Sequence, residues 1–82
     1  MSEKQRQRLR ELADSDERIE LSGNQIYIQR IERTKRIKIE YILLAVCEIS
    51  NPRNITINVQ FNRSLDDIIS IGEVAAKIKE AV

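Results

Sequence analysis

The chain has 82 residues, a third of them charged but balanced to a net +1, with two glycines, one proline, one cysteine and no histidine. One small domain over residues 1–82 is the expectation, near the size where a core is thin and self-association adds stability, and the balanced charge excludes a bulk electrostatic pull toward nucleic acid or membrane. The lone cysteine excludes an internal disulfide and a Cys-rich zinc site, and the missing histidine removes the common zinc and catalytic-base arrangements.

Residues 2–13 read as a short helix. Ser2 suits the N-cap, Glu3 lies in the first turn, and straight-chain helix formers continue from there. Its apolar surface is only Leu9, Leu12 and Ala13, while Lys4, Arg6, Arg8 and Arg10 wrap around it. The acidic run from Asp14 to Glu20 leads into a first strand, expected at 18–21. Ser22-Gly23-Asn24 is a tight-turn signal, because Gly and Asn tolerate positive φ. A second strand at 25–31 carries Ile26 and Ile28 in alternation, and Glu32 to Lys35 supplies a weaker turn without Gly or Pro.

The next stretch, 36–49, is the most apolar in the chain and decides the fold. Read as a strand, it places Ile37, Ile39, Tyr41, Leu43, Ala45, Cys47 and Ile49 on one face without a break. Read as a helix, it puts Glu48 on the stripe of Ile37, Tyr41, Leu44 and Ala45 and leaves Ile39, Ile42, Leu43 and Val46 to make a second one. The strand is the better fit, although roughly 40 Å of strand is long; it becomes reasonable if its first half pairs with the strand before it and its second half with the strand after it. Asn51-Pro52 then makes a turn, since Pro fixes φ and cannot donate to a ladder. Ile55, Ile57, Val59 and Phe61 repeat the alternation over 54–61.

The last element, 64–81, opens on Ser64 as N-cap with Asp66 and Asp67 in its first turn, and closes near Lys77 and Lys79. Ile68, Ile71, Ala75, Ile78 and Val82 recur at helical spacing, with Val74 adjoining. Gly72, and a second cap-like Ser70-Ile71-Gly72-Glu73, point to a break near residue 70. The fold class expected is α+β: a four-stranded antiparallel meander flanked by a short N-terminal helix and a C-terminal helix.

The segment Asp67-Ile68-Ile69-Ser70-Ile71-Gly72-Glu73-Val74-Ala75-Ala76-Lys77-Ile78 resembles the closing turn and last helix of acyl carrier proteins, and Ile39-Glu40-Tyr41-Ile42 is loosely similar to their second helix. The resemblance implies, as an alternative, a small helical bundle. Those carriers bear phosphopantetheine on the serine of an Asp-Ser-Leu motif, whereas the corresponding region here reads Thr34-Lys35-Arg36-Ile37. Ser64-Leu65-Asp66 imitates the motif but stands too late in the chain. This alternative is therefore a degenerate, carrier-like protein without the usual serine motif.

Chemistry is sparse. Cys47 sits in an apolar run beside Val46 and Glu48 and reads as a buried structural thiol. Asp66 and Asp67 diverge on a helix, and Glu40 and Glu48 have no partner base, so neither catalytic residues nor a cofactor or metal is expected. Arg30, Arg33, Lys35, Arg36 and Lys38 form the strongest basic cluster, candidate phosphate contacts for a nucleic-acid-binding alternative. Tyr27 and Tyr41 read as half-buried sheet residues. The even positions of the long strand, Ile42, Leu44 and Val46, oppose its odd face and form the candidate interface. These residues point to a small non-catalytic protein–protein interaction or assembly module, homodimeric through an apolar sheet face, cytoplasmic and not membrane-bound, its partner a second copy or another protein.

Overall fold

The computed structural model describes residues 2–36, 38–50 and 54–82. The element order is α1 (Glu3–Ser15), β1 (Ile19–Ser22), β2 (Gln25–Arg33), β3 (Ile39–Ser50), β4 (Asn54–Val59) and α2 (Leu65–Ala81). The strands form one antiparallel sheet in the order β1-β2-β3-β4. The α+β meander with flanking helices is thus the fold, and the helical-bundle alternative is not supported because residues 39–50 are strand. The turn expected at Asn51-Pro52 and the strand position Ile37 lie outside the described residues.

Local chemistry sets the boundaries. Ser2 closes a capping box on α1: its Oγ accepts from the Gln5 N–H at 3.2 Å, and its own N–H donates to Gln5 Oε1 at 2.9 Å. In the two-residue hairpin between β1 and β2, Gly23 has φ +59°, the left-handed region that glycine enters without a Cβ clash. Ser64 caps α2 by accepting from the Asp67 N–H at 3.2 Å. This helix runs unbroken from Leu65 to Ala81, so the break expected near residue 70 does not occur. An interior Gly costs only about 1 kcal/mol relative to Ala, and the stripe of Ile71, Val74, Ala75 and Ile78 packs continuously on either side of Gly72.

The sheet contains a β-bulge that changes how β3 must be read. Ile28 pairs with Ala45, but Gln29 pairs with Leu43, so Leu44 is an extra residue. Directly paired residues share a face and successive ones alternate. On the near side of the bulge the even positions Ile42 and Leu44 therefore face the helices; beyond it the odd positions Ala45, Cys47 and Ile49 do. The core collects these residues with Ile19, Ile26 and Ile28 of the sheet, Leu9 of α1, and Ile71, Val74 and Ile78 of α2. Both helices lie on that one face.

Pairing also divides the sheet lengthwise. The β1 register ends at Ile28 and the β4 register at Ala45, whereas Gln29–Arg33 and Ile39–Leu43 continue as a ribbon paired with each other. It makes the molecule long, 42 × 24 × 19 Å. A two-stranded ribbon is marginal by itself. Here its inner half is tied down: Gln29 Nε2 donates to the Glu17 carbonyl at 3.2 Å, and Arg30 Nε lies 3.1 Å from Asp67 Oδ1 on α2.

A polar cluster fastens α1 and β1 to α2, where the apolar surface of α1 is thin. The buried Asp16 accepts at Oδ1 from the Arg18 N–H and from Arg18 Nε, both at 3.0 Å, and at Oδ2 from Arg18 Nη2 at 2.9 Å and Lys77 Nζ at 2.8 Å. Arg18 Nη1 reaches on to Glu73 Oε2 at 3.0 Å and Ser70 Oγ at 3.2 Å. The Arg18 guanidinium, with Lys77 beside it, holds the Asp16 carboxyl well below the usual carboxylate range against the opposing effect of burial.

This packing makes stability depend on pH and on Leu44. A carboxyl whose folded pKa is depressed stabilises the fold fully above its unfolded value of about 4, and that contribution fades as pH falls toward the folded value. Resistance of the native chain to urea is therefore expected to weaken as pH drops below about 4, and Asp16→Asn to flatten that slope while costing about 1–3 kcal/mol at neutral pH. Leu44→Lys places an ammonium in a fully buried site and is expected to abolish the cooperative thermal transition.

Candidate functional site

The candidate interface Ile42, Leu44 and Val46 does not form one face. Leu44 is 0% exposed in the core, Ile42 packs against that core, and Val46 lies on the opposite side of the sheet. The bulge is the physical reason: a one-residue insertion reverses the inward-facing phase of everything before it. Ile39, Tyr41 and Leu43, expected on one face with Ala45 and Cys47, point instead to the side without helices, where they are 49%, 62% and 39% exposed, so Tyr41 is not the half-buried residue expected.

Cross-strand register builds the rest of this open face. Arg33 stands opposite Ile39, Ile31 opposite Tyr41, Gln29 opposite Leu43, and Tyr27 opposite Val46. Ile31, Tyr27 and Val46 are half-buried by their neighbours. Tyr27 Oη donates to Gln25 Oε1 at 3.3 Å, and Gln25 Nε2 donates to Glu48 Oε1 at 3.0 Å, so the β1–β2 hairpin end of the face carries a polar chain. The middle is apolar except for Gln29, opposite Leu43, whose buried amide is turned to the Glu17 carbonyl. A hint of this face lies in β2, where Ile31 breaks the phase set by Ile26 and Ile28.

A second apolar group lies on the helix side, where the chain leaves β4: Val59, Phe61, Leu65, Ile68 and Ile69, with Phe61 88% exposed. Val59 ends β4, Phe61 stands on the turn after it, and Leu65, Ile68 and Ile69 lie in the first turns of α2, with Asn62 between them at φ +60°. They do not continue the open face.

The basic cluster separates. Arg30 faces the helices, pairing with Glu32 on its own strand and with Asp67 on α2. Its Nε–H is close to the Asp67 carboxylate without being aimed at it, an ion pair more than a hydrogen bond. Arg33 lies on the open face with Glu17 at 3.9 Å. Lys35 and Arg36 are exposed in the turn, and Lys38, also exposed, holds that turn by accepting at its carbonyl from the Thr34 N–H at 2.9 Å. Of the five cations, four thus crowd the ribbon tip and one serves the fold.

Cys47 is buried, and desolvation first, then the neighbouring Glu48 carboxylate, push its thiol up, away from the reactive thiolate. Among the described residues, no group of three or more acidic or cysteine side chains is placed to hold a metal ion, and no helix is long and apolar enough to cross a membrane. A cleft of about 160 Å³ between α1 and the β1–β2 hairpin is lined by Arg6, Leu9, Arg10, Leu21 and Ile26 among others, an apolar floor with two cations at its rim. Compared with known proteins, the chain matches no family model, no curated protein and no solved structure.

The two kinds of cation are separable by stability. Arg30→Ala leaves the buried Asp67 carboxylate without its cation and is expected to cost about 1–3 kcal/mol in chemical denaturation. Lys35→Ala, at an exposed turn, is expected to stay within about 0.5 kcal/mol of the native chain.

Proposed function

We propose that this protein is a small non-catalytic assembly module that self-associates through the open face of its sheet. The observation that carries the reading is the placement of Ile39, Tyr41 and Leu43 together on the side that neither helix covers, continued by Ile31, Tyr27 and Val46. Antiparallel sheets commonly present one face to water, but that face is then polar. Here its centre is aliphatic and aromatic around one buried glutamine, Gln29, the composition of a protein contact. A reducing, cytoplasmic setting suits the one buried thiol.

The open face is favoured over the Phe61 group because its side chains project in register from adjacent strands, whereas Phe61 stands on a turn. Lys35, Arg36 and Lys38, exposed at the ribbon tip, carry the second reading, a phosphate-binding ribbon. Salt separates the two. An apolar contact persists at high salt, while phosphate contacts weaken steeply with it.

Sedimentation tests the proposal directly. The native chain is expected to show a concentration-dependent dimer that survives high salt, and Tyr41→Lys a folded monomer, because an unpaired ammonium is costly in a desolvated contact. Phe61→Lys is expected to leave the dimer unchanged. A native chain that stays monomeric, or a dimer lost through Phe61 and retained with Tyr41→Lys, overturns the reading.

A further inference from the structure

We infer that the second copy lies antiparallel on the open face, the basic ribbon tip of each subunit over the acidic hairpin end of the other. This rests on self-association through that face and adds its orientation and its charged contacts. Among the described residues the face has two poles. At one end Arg33 stands on it and Lys35 and Arg36 come next in the turn; at the other, Glu20 opposite Tyr27 and Glu48 opposite Gln25 project from the same side. All five side chains are exposed. Gln25 and Arg33 are eight strand positions apart, roughly 26 Å, and Leu43 stands opposite the midpoint Gln29.

A two-fold axis in the plane of the contact has two simple directions. Parallel to the strands, it sets tip over tip and glutamate over glutamate, and like charges oppose docking. Perpendicular to the strands, near Leu43, it sets each basic tip over the partner's glutamates and keeps Tyr41 and Leu43 in the apolar centre. Packed sheets lie roughly 10 Å apart, a gap that arginine and glutamate side chains span together. Because the contact is isologous, each charged pair occurs twice. Among the described residues of one subunit, Arg33 has only the distant, exposed Glu17 at 3.9 Å, and Glu20 and Glu48 take part in no ion pair. These charges remain available to a second chain.

Charge-reversal complementation tests the orientation. Two full-length chains are prepared, one with Glu20→Lys and Glu48→Lys, the other with Arg33→Glu and Arg36→Glu. At low salt each alone is expected to dimerise at least about tenfold more weakly than the native chain, a loss of about 1.4 kcal/mol, and an equimolar mixture to recover native affinity as a heterodimer. The mixture also controls for folding, since an unfolded chain is not rescued by its complement. If Tyr41→Lys dissociates the native dimer but both charge variants dimerise natively, or the mixture binds no better than its components, the antiparallel orientation is wrong and the open face stands. A monomeric native chain removes both.

Discussion

Leu44 is one residue more than the register of β2 against β3 requires, and the rest of the architecture depends on where that residue goes. Strict alternation along β3 would send Ile39, Tyr41 and Leu43 into the same layer as Ala45 and Cys47, leaving Ile42 and Leu44 facing water. The bulge instead collects Ile42, Leu44, Ala45 and Cys47 on one side, beneath α2. It also falls where β4 stops pairing, so the four-stranded part of the sheet and the two-stranded ribbon meet at the same point. Bulges strengthen the local twist of a strand, and here one gives a single strand two partners and two phases.

The helices are held to this sheet by unequal means. α2 brings a full stripe of aliphatics, with Ile78 and Val74 wholly buried, so burial alone accounts for its position. α1 brings chiefly Leu9, with Leu12 and Ala13 at the margin, and the cluster of Asp16, Arg18 and Lys77 compensates at its C-terminal end. A nearly buried carboxylate meeting two cations has its lone pairs satisfied, the condition under which a buried charge does not oppose folding. The same logic holds at Asp67 and Arg30, which tie the ribbon to the first turn of α2.

Much of this was legible in the residues. Period-two alternation of Ile26 with Ile28 and of Ile55 with Ile57, the Gly23 turn, and the Ser2 and Ser64 caps each encode their element locally, and each forms at its expected place within about two residues. The bulge was not legible: Leu43, Leu44 and Ala45 are all apolar, so the pattern reads equally well in either phase, and no glycine marks the extra position. The interface trio Ile42, Leu44 and Val46 inherited that ambiguity. The role of Asp16 was hidden for a different reason, since its partner Lys77 lies 61 positions away and no local pattern links them.

With both helices on one side, the opposite side of the sheet carries Tyr41 and its neighbours as a consequence of the phase change, so the character of that face depends on Leu44. The most direct measurement is the cross-strand pattern of Hα–Hα and amide contacts between β2 and β3 by nuclear magnetic resonance in solution. The bulge requires Ile28 opposite Ala45 and Gln29 opposite Leu43, with Leu44 lacking a direct partner. An unbroken register that places Gln29 opposite Leu44 and Ile31 opposite Ile42 would return Tyr41 to the helix side and contradict the account.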